Sequence, residues 1–376
     1  MLLGEDHRAV QDAVRAYVQE QVAPHAARWD KEAHFPAAEL KGLADLGCYG
    51  VAVPTEWDGA GLDYLALAVI LEEIAAGDGA TSTVVSVNNC PVCSILMTWA
   101  SDAQKEQWLK PLARGDMLGA FCLTEPHVGS QADGLRTTAR LEGAEYVLDG
   151  VKQFITSGKN GDVAIVMAVT DKAAGKKGIS AFIVPTATPG YIVARVEDKM
   201  GQHASDTAQI LFENCRVPAA NLLGDEGQGL KIALSGLEGG RIGIAAQSVG
   251  MARAAFEAAL RYAKERVAFG KPIFEHQALQ FRLGEMATQI EAARQLIHHA
   301  ASLKDAGVPC LKEAAMAKLF ASEMAERVCS AAIQIHGGYG YVSDFPVERI
   351  YRDVRVCQIY EGTSDVQKIL IGRALA

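Results

Sequence analysis

Apolar positions in the first third of the chain recur every three or four residues, as on the buried face of a helix. The stretch from Leu65 to Ile74 is almost wholly apolar, and Leu96 to Leu112 has a helical pattern. We therefore predict a helical N-terminal domain over residues 1–118. An earlier set with the same spacing is Val10, Val14, Tyr17, Val18 and Val22.

After residue 118 the pattern changes to short apolar runs of the kind that form strands. Dipeptides such as Glu142-Gly143, Asp149-Gly150 and Ala174-Gly175 predict turns between these runs. Because no helical period of useful length lies among them, we predict a small, barrel-like β domain over residues 119–225. The predicted strands are Gly119–Thr124, Val163–Val169, Ile179–Val184 and Gln209–Phe212.

Long helical patterns return in residues 226–376, where we predict a C-terminal four-helix bundle. A stripe from Ile242 to Ala263 is followed by Gly270-Lys-Pro272, which we expect to end it. A short last helix is predicted from Ser364 to Ala374. The chain is thus of the α+β class, in the order α, β, α. Two further stripes are Leu279, Leu283, Met286, Ile290, Ala293, Ile297, Ala300 and Ala315, Leu319, Ser322, Ala325, Val328, Ala332, Ile335.

Charge and composition exclude several classes of function. The 376 residues include 36 basic and 45 acidic side chains, a net charge of −9, with no local basic run, so we expect no nucleic-acid partner. Apolar stretches are interrupted before the ~20 residues that a membrane span needs. The N-terminus lacks the features of a signal peptide. We expect a soluble cytoplasmic protein, although a mature mitochondrial matrix chain would have the same features.

Cysteine and histidine patterns predict no metal centre. Cys90-Pro-Val-Cys93 has CxxC spacing, but no second pair completes a zinc site, and no HExxH motif is present. Buried reduced thiols are the favoured interpretation of the eight cysteines, with a redox role for Cys90 and Cys93 as the alternative.

The chemistry must lie where helices and strands end, because the chain has no GxGxxG, P-loop or GxSxG motif. Each candidate segment alone also fits a structural role: a turn, a core aromatic, a helix stop, a helix cap or a solvent-exposed loop. Glu361 is notable because a carboxylate held beside apolar groups makes a general base. The segments are Thr124–Ser130, Gln153–Gly158, Arg266–Pro272 with Gln277, Gln334–Gly340 and Ile359–Val366.

Taken together, these segments make the chain resemble the acyl-CoA dehydrogenase family. Ser86–Asn89 and Glu238–Ala245 resemble its short-chain and short-branched-chain subgroups. The resemblance implies a homotetramer of α–β–α subunits, with FAD between the β domain and the bundle. The motifs that carry it are Leu123-Thr-Glu-Pro with Gly129-Ser130, Phe154-Ile-Thr156, Arg266-Val-Ala-Phe-Gly270, Gln334-Ile-His-Gly-Gly338 and Tyr360-Glu-Gly-Thr363.

The reaction implied by the resemblance is α,β-dehydrogenation of a short straight or branched acyl-CoA to the trans-2-enoyl-CoA. Glu361 matches the family's general base, which takes the α-proton while hydride passes to flavin N5. Some relatives carry the base on the helix near Gly240, which here has no side chain. Electrons would pass to electron-transfer flavoprotein, in fatty acid β-oxidation or branched-chain amino acid catabolism.

The resemblance also implies binding roles for residues on three surfaces. Within one subunit, flavin contacts would come from Phe121, Leu123, Thr124, Gly129, Ser130, Phe154, Ile155 and Thr156. A neighbouring subunit's FAD would meet Arg266, Phe269, Gln277, Gln334, Ile335, Gly337 and Gly338, with Thr363 and Asp365 at the adenine pyrophosphate end. Acyl-CoA would contact Ser130, Glu238, Arg241, Tyr360 and Gly362.

The chain departs from the family pattern at a few positions. Phe154 replaces the Trp that is common at the flavin edge, and Asp365 replaces a longer acid or amide. An acyl-CoA oxidase-like enzyme and a non-catalytic acyl-CoA-binding member are the alternatives. Chain length argues against the oxidase, which usually carries an extra C-terminal domain, and the intact Glu361 argues against the non-catalytic protein.

Overall fold

A computed structural model describes residues 3–375 of the chain. Its first part is helical, as the apolar spacing predicts. The predicted stretch from Leu96 to Leu112 is broken near Ala100, because Ser101 caps a new helix there with its side chain. The helices are α1 (Glu5–Tyr17), α2 (Ala26–Glu32), α3 (Ala37–Asp45), α4 (Tyr64–Gly77), α5 (Gly79–Val87), α6 (Ser94–Trp99), α7 (Asp102–Gln104) and α8 (Lys110–Arg114).

A sheet follows the N-terminal helices. Within the described residues its strands are β1 (Gly119–Cys122), β2 (Thr138–Glu142), β3 (Glu145–Thr156), β4 (Val163–Val169), β5 (Ile179–Pro185), β6 (Tyr191–Val196), β7 (Thr207–Pro218) and β8 (Leu222–Leu223). Their order in the sheet is β6-β7-β3-β2-β4-β5-β8, and β1 pairs in parallel with β4. Apolar side chains from the two faces of the sheet enter separate cores, one of which is shared with α6 and α8.

One predicted turn in this sheet is wrong. Asp149-Gly150 lies inside β3, where the pairing with β7 shifts register between Leu148 and Gly150. Gly150 has φ 150°, and a Cβ there would lie 2.5 Å from the Thr137 hydroxyl. The glycine therefore serves a β-bulge and a close chain approach, and does not end the strand.

The described C-terminal residues, 226–375, form three long helices and two short ones. The stripe from Ile242 to Ala263 lies in a helix that ends at Glu265, before the predicted stop at Gly270, because the chain turns into a small hairpin. The elements are α9 (Gly229–Glu265), β9 (Val267–Ala268), β10 (Lys271–Pro272), α10 (Gln277–Asp305), α11 (Leu311–His336), α12 (Val347–Val354) and α13 (Ser364–Ala374).

The N-terminal helix α4 packs along α9 and α10 and joins the two helical parts. It is apolar around nearly its whole circumference, which is typical of a helix surrounded by others. Its buried Glu72 and Glu73 are neutralised by Arg294 and Arg253, with closest N–O distances of 2.8 Å and 2.7 Å. This packing fixes the middle of α9, which forms one wall of the site below.

Over residues 3–375, no helix is long and apolar enough to cross a membrane, and no group of three or more His, Cys, Asp or Glu side chains could hold a metal ion. The cysteines are free thiols inside the protein, including Cys90 and Cys93.

Candidate active site

Glu361 lies in a tight turn between the segment Arg355–Gln358 and helix α13. It has φ 55° and Gly362 has φ 87°, so both residues adopt the left-handed conformation. Although the residue is half-buried, its Oε1 is shielded from solvent and has no hydrogen-bond partner among the described residues. This oxygen lies directly over Gly240 of α9, where a Cβ would be 1.7 Å away.

The environment of Glu361 sets its acidity. Burial raises the pKa of the carboxyl to about 7, while the nearby cations Arg241 and Lys318 oppose this rise. Arg241 is itself buried, its Nε lacks a partner among the described residues, and burial lowers the pKa of its guanidinium. The site therefore holds a carboxylate that exchanges protons near neutral pH.

The carbonyl groups of the turn are held by two side chains. Lys318 of α11 donates from Nζ to the Gly362 oxygen at 2.7 Å. Gln367 of α13 donates from Nε2 to the same oxygen at 2.8 Å and to the Glu361 oxygen at 3.2 Å. Thr363 is the N-cap of α13, and its hydroxyl accepts from the Val366 backbone N–H at 3.3 Å.

Tyr360 is anchored behind the turn. Its hydroxyl donates to Gln247 Oε1 of α9 at 2.7 Å and lies 3.5 Å from both the Thr83 hydroxyl and Gln202 Nε2. These bonds link the turn to α9, α5 and the loop before β7. Tyr360 therefore anchors the Glu361 turn to the surrounding helices.

Of the other predicted substrate residues, Glu238 and Arg241 lie on α9 beside Gly240. Glu238 forms an ion pair with Lys304 of α10 at 3.0 Å, and its charge acts on Arg241 together with that of Glu361. Ser130 is exposed on the loop after β1. No hydrogen bond joins Ser130 to the Glu361 turn among the described residues.

The two β-domain segments predicted to contact flavin are tied to each other. The backbone N–H of Gln153 donates to the backbone carbonyl of Thr124 at 2.9 Å. Lys152, fully buried, pairs with Glu125 at 2.8 Å, and that carboxylate accepts from the amides of Arg136 and Thr137. This buried pair joins Phe121–Ser130 to Phe154–Thr156.

Phe154 projects out of the β domain. Its side chain is 63% exposed, its φ is 60°, and Ile155 beside it is buried. A large aromatic ring on a strained, exposed backbone position is typical of a binding surface. Thr156 ends β3 and is half-buried, and Gly129 has open space around its Cα.

A second surface, the Arg266 groove, lies between the end of α9 and the end of α11. It encloses about 490 Å³ and is lined by Tyr262, Arg266, Ile273, Ile335, His336, Gly337, Gly338, Tyr339 and Val342. Within it the Tyr262 and His336 rings stack at 4.4 Å, and the Arg266 guanidinium lies 5.9 Å from the Tyr339 ring centre. The structure thus brings together four predicted cofactor residues: Arg266, Ile335, Gly337 and Gly338.

Several other predicted cofactor residues face solvent, whereas Phe121, Leu123 and Thr363 are half-buried. Phe269 is 96% exposed, and Gln277 and Gln334 are exposed as well. Asp365 is exposed at the start of α13 and lies 3.7 Å from Lys368. Asp365 directly follows the Glu361 turn in the chain, whereas no hydrogen bond or ion pair among the described residues joins Phe269, Gln277 or Gln334 to that turn.

These surfaces suit the two ends of FAD. Exposed aromatic and hydroxyl groups at Phe154 and Thr156 offer stacking and hydrogen bonds to a flavin ring, and Arg266 offers a charged fork to a pyrophosphate. Gly337 and Gly338 leave open space where a side chain would stand, which permits close approach of a ligand to the backbone.

Sequence reasoning missed Lys318, Gln247 and Gln367. Lys318 was detectable in principle, because it interrupts a run of small and apolar residues from Ala314 to Phe320. Gln247 is flanked on α9 by the small buried residues Ala246 and Ser248, and Gln367 is the one buried position of α13 among the described residues. Nothing in their spacing distinguishes them from surface amides.

Comparison with known proteins gives the same assignment over nearly the whole chain. Residues 4–116, 120–215 and 227–376 match the acyl-CoA dehydrogenase N-terminal, middle and C-terminal domains. The mitochondrial short-chain specific acyl-CoA dehydrogenase of Homo sapiens is 47% identical over 98% of this chain and 90% of its own length.

Two solved structures have the same fold from end to end. Butyryl-CoA dehydrogenase from Megasphaera elsdenii is 40% identical with a TM-score of 0.97, covering 100% of this chain and 99% of its own. A chain from work on the electron transferring flavoprotein of Acidaminococcus fermentans and flavin-based electron bifurcation is 44% identical with a TM-score of 0.98, covering 100% and 99%. The predicted fold class is therefore confirmed. The chain belongs to the acyl-CoA dehydrogenase family, FAD-dependent oxidoreductases that act on CH–CH bonds.

Proposed function

We propose that this protein dehydrogenates a short acyl-CoA and that Glu361 is its general base. The observation that carries the proposal is the Glu361 carboxylate, whose Oε1 is buried without a hydrogen-bond partner among the described residues and lies over Gly240. A base must have an unoccupied lone pair and a pKa near the working pH. With its pKa raised to about 7, Glu361 meets both conditions.

In the proposed mechanism, Glu361 removes the proton from Cα of the thioester. The charge that develops on the thioester oxygen requires hydrogen-bond donors fixed in advance. The Glu361 backbone N–H is proposed as one donor. Lys318 and Gln367 hold the Glu361–Gly362 turn in place through hydrogen bonds to the Gly362 and Glu361 backbone carbonyls. FAD, when bound, supplies the acceptor of the hydride from Cβ. Phe154, Thr124 and Thr156 would hold its ring.

A short acyl group is supported by the relatives and by the packing of α9. The relatives reported above include a short-chain specific enzyme and a butyryl-CoA dehydrogenase. On α9, a Cβ at Gly239 would lie 2.9 Å from the Tyr64 ring, and one at Gly243 would lie 2.9 Å from the Ser86 hydroxyl. Such close packing leaves no room for a long chain beside these residues.

We further propose that FAD bridges two subunits of a homotetramer and that electron-transfer flavoprotein accepts the electrons. The bridging role is supported by two candidate surfaces on different parts of the chain, Phe154 with Thr156 on β3 and the Arg266 groove between α9 and α11, which share no residue. The exposed Phe269 and Gln277 would reach the neighbour's cofactor. The electron transferring flavoprotein named in the work on the Acidaminococcus chain supports the choice of acceptor.

Anaerobic titration of the purified protein with butyryl-CoA, isobutyryl-CoA and octanoyl-CoA tests the proposal. We expect the two short substrates to bleach the flavin absorbance. The variant Glu361→Gln should stay yellow and bind butyryl-CoA in calorimetry, but lose at least ~10³-fold in the rate of flavin reduction, because the base is gone.

Glu56→Gln, the same change at an exposed glutamate, is the matched control and should behave as the unaltered protein. Retained turnover in Glu361→Gln contradicts the base assignment. Fast oxygen uptake after reduction would instead identify an oxidase.

A further inference from the structure

Lys318 is a charged side chain enclosed by the protein. It lies on α11 with no exposed surface, and among the described residues its Nζ donates to the Gly362 carbonyl alone, at 2.7 Å. Within residues 3–375, no carboxylate oxygen lies within 4.0 Å of this nitrogen. A buried ammonium without a paired carboxylate is unfavourable for folding, so its position requires an explanation other than stability.

The groups that face Lys318 belong to the site. They are the Arg241 guanidinium from α9, the Glu361 carboxyl from the turn and the Cys357 thiol from the preceding segment. Burial lowers the pKa of Lys318 to about 8, so the side chain is mostly protonated at neutral pH. Glu361 is faced by the cations Arg241 and Lys318 and by the buried thiol of Cys90.

The bond from Lys318 also bears on the shape of the turn. Two successive left-handed residues, one of them a glutamate, are an unfavourable backbone arrangement unless their surroundings hold them. The Gly362 carbonyl is held by Lys318 and, at 2.8 Å, by Gln367. The first of these donors carries a charge and the second does not.

We infer that Lys318 is the positioning residue of the proposed base: through the Gly362 carbonyl it fixes the Glu361–Gly362 turn, and with Arg241 it supplies the positive charge that keeps the Glu361 carboxylate ionised. This inference rests on the proposed function, in which Glu361 receives the proton. Lys318 acts through Glu361 and does not itself touch the reacting atoms.

Four variants separate the two effects. Lys318→Gln keeps a donor for the Gly362 carbonyl but removes the charge, and Lys318→Met removes both. Gln367→Leu removes a donor to the same carbonyl without changing charge. Lys312→Gln is the matched control, at a half-buried lysine of α11 that pairs with Glu313 at 3.1 Å.

The first measurement is an infrared titration of the FAD-loaded protein without substrate. The Glu361 carboxyl band is identified by its absence in Glu361→Gln. We expect the apparent pKa of Glu361 to rise by about one unit in both Lys318 variants, because a nearby cation favours the ionised form. It should stay unchanged in Gln367→Leu and Lys312→Gln.

The second measurement is the rate of anaerobic flavin reduction by butyryl-CoA as a function of pH. In Lys318→Gln the rate of flavin reduction should fall about tenfold at pH 6 and little at pH 9. The reason is that the acidic limb of its pH–rate profile moves up by about one pH unit. KM should change less than about threefold. Gln367→Leu should lower the rate at every pH without moving the limb.

An unshifted Glu361 titration in Lys318→Gln would overturn the inference. Failure of both Lys318 variants to fold as yellow proteins, while Lys312→Gln folds, would also overturn it in favour of a stability role. If no acyl-CoA reduces the flavin of the unaltered protein, the proposed function fails, and the infrared titration still decides on Lys318 because it needs no turnover.

Discussion

At the scale of single residues, the raised pKa of Glu361 predicts the pH dependence of the reaction. The base form predominates above the folded-state value of about 7 and falls about tenfold per pH unit below it, so the rate of flavin reduction should rise with pH through this value and then level off. Stopped-flow reduction by butyryl-CoA between pH 5.5 and pH 9 measures this. A profile that is flat over the whole range contradicts the assignment.

The same burial carries a stability cost. The pKa of Glu361 is raised from 4.5 to about 7, so the folded state disfavours the ionised form. Stability is highest below the unfolded-state value and is lost as pH rises toward 7, by roughly 3 kcal/mol at 1.36 kcal/mol per unit. Glu361→Gln should therefore resist urea better than the unaltered protein at pH 8, and no better at pH 4.5. Equal urea resistance at pH 8 would show that the carboxylate is well solvated.

Gly240 gives a steric test of where the carboxylate lies. A Cβ at this position would come within 1.7 Å of Glu361 Oε1, so Gly240→Ala must displace the proposed base. We expect at least a tenfold fall in kcat with FAD content unchanged, since misplacement by about 1 Å is costly in catalysis. Gly372→Ala makes the same change in open space on α13 and is the control. If kcat is unchanged in Gly240→Ala, the base lies elsewhere in the working enzyme.

At the scale of elements, the Lys152–Glu125 pair predicts how the flavin-facing loops are held. Lys152→Met leaves Glu125 buried without its cation, which should lower stability by about 3 kcal/mol and weaken FAD binding at least tenfold. Fluorescence titration of the apoprotein with FAD measures the affinity. Lys176→Met, at an exposed lysine paired with Asp133, is the control and should bind FAD normally. Unaltered FAD affinity in Lys152→Met would show that the Lys152–Glu125 pair does not contribute to FAD binding.

Element prediction succeeded where one face of a segment is buried along its whole length. The stripe from Leu279 to Ala300 lies in α10, and Val163–Val169 is strand β4 without correction. It failed at β3, because the Gly150 bulge needs a partner strand that sequence spacing does not show. The capped break near Ala100 was missed because apolar spacing continues across it.

At the scale of the whole molecule, motif resemblance located Glu361 and Gly240 but not the residues that fix them. Lys318, Gln247 and Gln367 come from three helices and meet at the turn only in the folded chain. Their roles depend on contacts between residues far apart in the chain, which the spacing of apolar and polar positions does not show. The fold was predictable because each of its three parts has its own periodicity.

The presence of two candidate FAD surfaces on one chain, Phe154 with Thr156 on β3 and the Arg266 groove between α9 and α11, has a consequence for how the protein behaves on dilution. If one cofactor contacts both surfaces on different chains, FAD binding and subunit association are a single linked equilibrium, and each strengthens the other by the same factor. Retention of the yellow colour should then depend on protein concentration even at a fixed ratio of FAD to protein. Added FAD should in turn shift the sedimentation profile toward the larger species. An FAD that contacts two subunits also stabilises their association, so loss of FAD would release single chains in which the Arg266 groove is exposed.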